Sequence, residues 1–322
     1  MTSRENVIRT IEMRYPERLA YQFSPEFGSD IVQMRYQPVK AIGQEQGFDE
    51  WGVGWESSEV ARIGYVKDCP LSDWALLQSY RYPDITQPSC WMAVNAARST
   101  YPDKYLIGMG ISLYETAQHL RGMINLFEDM AFGEEKLFEL LDRLVSMNAY
   151  AIDRYAESGF DGYMFTDDWG LQDKLMISPD LWHKLWKPYY AKIFKQVHDR
   201  GMKMFLHSCG YIVDILDGLI EAGLDVINMD QQANMGLERL AAYKGRITFF
   251  CPADVQKILT SGDIPMVRSY CRRMFECLGS TRGGFIARWY GDPVSAGHHP
   301  DAVKAMQEEF LKISEEYFGR QC

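Results

Sequence analysis

Lys203-Met204-Phe205-Leu206-His207-Ser208-Cys209-Gly210 is an apolar run that ends in polar residues and stops at a glycine. It reads as a short buried strand and a turn, followed by a helix from about residue 212 to 222. Residues two apart on a strand share a face, so His207 and Cys209 present an imidazole and a thiol side by side at the strand end. Such a pair suits a borderline-soft ion such as zinc, which takes nitrogen and sulfur ligands. The plainer alternative is a satisfied histidine beside an inert, buried cysteine.

The same unit recurs along the chain. Strands are expected at 17–23, 105–111, 162–167, 204–207, 225–229, 247–251 and 284–287, and an eighth in the irregular N-terminal third. Helices are expected at 2–15, 115–129, 134–157 and onward from Ser178-Pro179-Asp180, which supplies a cap, a proline and an acidic first turn. Strands joined by helical crossovers over short connections mean a parallel sheet. No strand is followed by G-x-G-x-x-G or G-x-x-x-x-G-K, which counts against a nucleotide-binding doubly wound sheet. The expectation is an α/β fold, a single (β/α)8 TIM barrel over 1–322. Its N-terminal irregular, aromatic extension and first barrel elements occupy 1–103, and regular βα repeats occupy 104–322. Residues 24–102 are rich in glycine, tryptophan, tyrosine and proline, with a small hairpin expected at 48–56. They read as a lid or pocket wall, or as packing on the outside of the barrel.

A net charge of −10 argues against a general nucleic-acid binder. Apolar runs are short and interrupted by charge, so no membrane span is expected, and residues 1–14 lack the apolar core of a signal peptide. Seven scattered cysteines form no paired framework, which points to a reducing cytoplasm.

Barrels of this kind build their sites at the C-terminal ends of the strands. Those ends carry Thr166, Asp167, Asp168 and Trp169, then His207 and Cys209, then Asn228, Asp230, Gln231 and Gln232. Cys251, Asp254 and Gln256 follow, and last Arg288, Trp289, Tyr290 and Asp292. Singly, Asp168 or Asp254 reads as a helix cap and Asn228 as a partner for loop backbone. Together they describe a polar, carboxylate-lined mouth. A catalytic zinc commonly has three protein ligands. Cys251, which ends a strand two units beyond Cys209, is the candidate third ligand, and Asp292 the runner-up. His298 and His299 lie further on, before the last helix. Asp167 or Asp168 is alternatively a ligand or an orienter of His207.

With these residues in view, the chain resembles the uroporphyrinogen decarboxylase-like superfamily over essentially its whole length. The resemblance rests on Phe165-Thr166-Asp167-Asp168-Trp169-Gly170, on Ile177-Ser178-Pro179 with Trp186-Lys187-Pro188, and on Phe205-Leu206-His207-Ser208-Cys209-Gly210. Gly223-Leu224-Asp225-Val226-Ile227-Asn228, Asp254-Val255-Gln256 and Leu120-Arg121-Gly122-Met123 add to it. One arm of that superfamily comprises metal-free decarboxylases with an arginine-rich N-terminal segment. The corresponding Phe27-Gly28-Ser29-Asp30-Ile31 has no arginine pair. The other arm, marked by His-x-Cys as at His207 and Cys209, comprises zinc-dependent methyltransferases serving corrinoid proteins. Its usual third ligand lies after the last strand, where this chain has Gly291 and Asp292.

The resemblance therefore implies a methyltransferase that demethylates a small methylated compound, such as a methoxylated aromatic, and delivers the methyl to a corrinoid on a separate protein. Asp167 or Asp168 would act as the acid for the leaving group. Tyr163, Trp169 and Trp289 would wall the substrate, and Asn228, Gln231, Asp254, Gln256 and Arg288 would bind it. Two alternatives stand beside this reading. One is metal-free decarboxylation of a porphyrinogen held by Asp167, Asp168 and Arg288. The other is a non-catalytic barrel that binds a corrinoid.

Overall fold

A computed structural model of the chain describes residues 1–38, 47–57, 64–289, 291, 293 and 297–319. Eight parallel strands form a nearly closed barrel: β1 (Ala20–Gln22), β2 (Ile31–Arg35), β5 (Tyr105–Met109), β6 (Gly162–Thr166), β7 (Lys203–His207), β8 (Val226–Asn228), β9 (Thr248–Cys251) and β10 (Phe285–Arg288). Their order is β1-β10-β9-β8-β7-β6-β5-β2, and β3 (Gly54–Ser57) pairs antiparallel with β4 (Gly64–Asp68) outside the barrel. The eighth strand expected in the N-terminal third is β2. The hairpin expected at 48–56 is instead β3 with β4, and Phe48 contributes only an isolated bridge to Gly54. No helix among the described residues is long and apolar enough to cross a membrane.

Two helices differ from the sequence expectation for local reasons. The stretch 115–129 is two helices, Tyr114–Arg121 and Met123–Phe132, divided at Gly122, whose φ of +83° a helix interior does not accommodate. The helix that starts at Pro179 widens into a π turn at Trp182–Trp186 before continuing as Lys187–Asp199. Pro188 offers no N–H to the preceding turn and its ring crowds the carbonyl four residues back, which the wider turn relieves.

Strand parity positions everything that follows. The barrel interior is filled by Ala20, Ile31, Tyr105, Ile107, Met164, Phe205, Val226, Phe250 and Ile286. Val7 and Ile11 of the helix Ser3–Ile11 join them and plug the N-terminal end. Two residues further along the strands, on the same inward face, come Gln22, Gln33, Met109, Thr166, His207, Asn228 and Arg288. A largely polar layer thus caps the apolar interior at the C-terminal mouth. The intervening residues, among them Tyr163, Phe165, Leu206, Ile227, Cys251 and Ala287, join the larger core between strands and helices.

The seam between β1 and β2 is bridged by Asp30, which is 1% exposed. Its N–H donates to Tyr21 O (2.8 Å), and its carboxylate accepts from Tyr21 N (3.1 Å) and from Arg18 Nη1 (2.7 Å). Asp30→Ala strands a buried amide and leaves a half-buried guanidinium to water. An expected loss of about 2 kcal/mol should appear as a lower urea midpoint with an unchanged m-value.

Candidate functional site

The loops after β6 and β7 touch backbone to backbone. Gly170 N donates to Cys209 O (3.1 Å), Tyr211 N to Leu171 O (2.8 Å) and Asp167 N to His207 O (2.9 Å). A Cβ on Gly210 would overlap the carbonyl of Gly170, and one on Gly170 would overlap the amide of Tyr211. Gly210 also sits at φ +75°, a region that side chains disfavour. Gln231 Oε1 accepts from Gly210 N (2.9 Å), and Asp168 Oδ1 accepts from Cys209 N (2.7 Å), which fixes the turn from both sides.

This crossing brings His207, Cys209 and Asp168 together, with one ligand atom of each within 4.8 Å of the others. Cys209 Sγ lies 3.2 Å from His207 Nε2, and Asp168 Oδ1 lies 3.5 Å from the same nitrogen. Neighbouring bonds dictate the imidazole tautomer. Asn228 Nδ2 donates to Phe250 O (2.6 Å) and Asp230 Oδ1 (3.1 Å), so Oδ1 of the amide faces the histidine. That oxygen accepts from Arg288 Nη1 and sits 2.6 Å from His207 Nδ1, which therefore carries the proton and donates. In the neutral ring, Nε2 then has its lone pair directed at the thiol and the carboxylate.

The donor set fits a zinc ion: one imidazole nitrogen, one sulfur and one carboxylate oxygen. Burial first, then the carboxylates of Asp168, Asp230 and Glu115, push the Cys209 thiol well above its ordinary range, and Arg288 only partly opposes them. A divalent cation reverses that balance and yields the thiolate. His207 and Asp168 reach the mouth, with side chains 14% and 43% exposed.

The other expected site residues fall in several places. Asp167 is wholly buried and points away from the triad: Oδ1 accepts from Glu115 N (2.9 Å), and Oδ2 from Leu113 N (3.2 Å) and Tyr190 Oη (2.6 Å). It fixes the start of the helix Tyr114–Arg121. Burial, then the charge of Glu115, raises its pKa well above the usual carboxylate range. Cys251 is not brought to the triad. Phe250 faces the interior, so its neighbour Cys251 faces outward into the core, and burial pushes its thiol up to about 12. Parity likewise turns Tyr163 outward, where its hydroxyl donates to Asn148 Oδ1 (2.6 Å).

Trp169 is buried, stacked 4.1 Å from Tyr114, and donates to Tyr190 Oη (2.8 Å). Trp289 is 5% exposed and packs 5.4 Å from His298. Asp254 takes its plainer role, accepting from Gln256 N (2.9 Å), Lys257 N (2.7 Å) and Ala233 N (2.9 Å). The Gln256 side chain is exposed. Tyr290 and Asp292 lie outside the described residues. Asn228, Gln231 and Arg288 do gather around the triad, as its supports.

A cavity of about 470 Å³ has Thr166 and Glu115 on its wall. The triad does not line it but is linked to it through Thr166, the register partner of His207, and Glu115, which accepts from Asp168 N. Asp49, Glu50, Trp51, Val53 and Trp55 of the N-terminal extension form another wall. Glu115 and Asp49 escaped the sequence reading. Ser112-Leu113-Tyr114-Glu115 has the spacing of a capping box, which reads as a helix start rather than a site. Glu115 instead accepts from Thr166 Oγ1 (2.7 Å) and from Asp168 N (3.3 Å).

Three outcomes follow from this geometry. Gly210→Ala should abolish stoichiometric zinc uptake, measured by elemental analysis, although every ligand is retained. Asn228→Ala frees the imidazole to rotate and change tautomer, so zinc affinity should fall about 10–100-fold in competition with a chromophoric chelator. Asp167→Ala should keep its zinc and lose roughly 3 kcal/mol of stability, because two amides and a hydroxyl lose their acceptor.

The structure superposes on that of a methyltransferase from Methanosarcina mazei with a TM-score of 0.70 at 15% identity, covering 97% of this chain and 99% of the other. Likeness to D-psicose 3-epimerase is weaker, at a TM-score of 0.43 and 9% identity over 91% of each chain. For 2,3-dimethylmalate lyase the TM-score is 0.42 at 13% identity, over 98% of this chain and 88% of the other. No curated protein matches the sequence. The family model for uroporphyrinogen decarboxylase (URO-D) matches residues 58–310, most of the chain, and the protein belongs to that family.

Proposed function

We propose that the protein is a zinc-dependent methyltransferase that moves a methyl group between a small methylated compound and a corrinoid carried on a partner protein. The observation that carries the reading is the convergence of His207 Nε2, Cys209 Sγ and an Asp168 oxygen at the barrel mouth. Likeness of fold to the M. mazei methyltransferase supports it. Among the described residues the third donor is Asp168, from the loop after β6.

When bound, zinc supplies Lewis acidity at its open position, toward the heteroatom that carries the methyl or toward a thiol acceptor. The chain's own residues do the rest. Asn228 and Arg288 hold the imidazole in the Nδ1–H tautomer. Gly170, Gly210 and Gln231 hold the thiol in register with it. The cavity beside Glu115 and Thr166 seats the methylated compound next to the triad. With Asp167 buried and Asp168 in the ligand set, neither aspartate is free to protonate a leaving group. Metal-free decarboxylation is the poorer reading, since three carboxylates, Asp49, Glu50 and Glu115, line the cavity where a polycarboxylate would have to bind.

Zinc-loaded protein, a panel of methylated amines, thiols and methoxyarenes, and cob(I)alamin or methylcobalamin as methyl partner provide the test. The cobalt spectrum is expected to report methyl transfer in wild type and none in Cys209→Ala. Absence of about one zinc per chain in wild type supplied with zinc, or absence of transfer in either direction across the panel, would overturn the reading.

A further inference from the structure

We propose that the cavity beside the triad selects a small organic cation, a methylated ammonium, over a neutral or anionic methyl donor. The inference rests on the methyl-transfer reading for its setting and concerns binding alone. Three carboxylates, Asp49, Glu50 and Glu115, face one guanidinium, Arg35, across a cavity of about 470 Å³. Arg35 is already paired with Glu50 at 2.9 Å. Asp49 is held by neutral donors, Trp51 N (2.9 Å), Val53 N (3.0 Å) and Trp55 Nε1 (2.8 Å). Glu115 is held by the Thr166 hydroxyl, the Ser112 hydroxyl and the amide of Asp168. Among the described residues, the hydrogen bonds to these two carboxylates fix their positions without cancelling their charge.

His119, also on the wall, does not fill the role of the missing cation. It packs edge-on against Trp55 (4.9 Å between ring centroids), and burial lowers its pKa, favouring the neutral imidazole. Trp51 and Trp55 supply aromatic wall. Fixed carboxylates combined with aromatic rings are the chemistry that recognises quaternary and methylated ammonium groups. The anionic carboxylate of a methoxylated benzoic acid would instead face Glu115 and Asp49 in a partly desolvated space, where like charges repel more than in water. Because Glu115 also accepts from the amide of Asp168, a cation paired with it lies next to the triad, where its methyl groups would be needed.

The test is calorimetry on the zinc-loaded full-length chain with three probes: choline, its uncharged isostere 3,3-dimethylbutan-1-ol, and vanillate. Choline is expected to bind about tenfold more tightly than the isostere, and vanillate more weakly than both. The preference should shrink in Glu115→Gln and in Trp55→Leu. Equal binding of choline and the isostere, tighter binding of vanillate, or no binding of choline would overturn the proposal. The wild-type comparison needs no variant to fold. Methyl transfer from a neutral donor without a choline preference removes this inference and leaves the transfer reading standing; a choline preference without any transfer does the reverse.

Discussion

The backbone contact between Gly170 and Gly210 is the constraint on which the site depends. Parallel strands β6 and β7 pair Thr166 with His207, and ordinary loops would diverge from there. Here the pairing persists past the strand ends, through Asp167 N to His207 O, Gly170 N to Cys209 O and Tyr211 N to Leu171 O. Gly170 bonds one residue out of the strand register, yet the inward and outward alternation of the pleat holds for one further step. Asp168 follows Met164 and Thr166 on the inner face, as Cys209 follows Phe205 and His207. Three chemically different donors meet because two glycines let the loops approach as closely as strands do.

That parity also explains how much of the site was legible beforehand. His207 and Cys209 share a strand, so their juxtaposition follows from spacing alone. In the structure the same rule turns Tyr163 and Cys251 outward, because Met164 and Phe250 fill the interior. Nothing in the sequence of one strand says which of its faces is inner, since both faces of a barrel strand are apolar here. The Asp168 contact depends on two loops crossing, a long-range fact carried by glycines whose role is visible only once their neighbours are in place. The regular repeats from residue 104 onward were legible from periodicity. β2 was hidden because five residues containing Gln33 and Arg35 do not stand out as a buried strand.

Asn228 is the hub of the polar layer. Its amide joins four elements: His207 on β7, Phe250 on β9, Arg288 on β10 and Asp230 in its own loop. An amide can do this because its two ends have opposite hydrogen-bonding character. The nitrogen is committed to Phe250 O and Asp230, and the oxygen is thereby committed to donors. A carboxylate here would accept from His207 and Arg288 but would leave the Phe250 carbonyl facing a negative charge.

The charge around the triad has the sense of a site made for cations. Asp168, Asp230 and Glu115 all act against a thiolate at Cys209, and Arg288, the cation that opposes them, is also engaged by Asn228. Burial and then these carboxylates raise the thiol's pKa, so the sulfur depends on an added positive charge to reach its ligating form. The same surplus runs through Glu115 into the adjoining cavity. On the proposed reading, metal affinity and the choice of methyl donor would be two consequences of one arrangement of carboxylates, of which Asp49 and Glu115 are held by neutral amide, indole and hydroxyl donors.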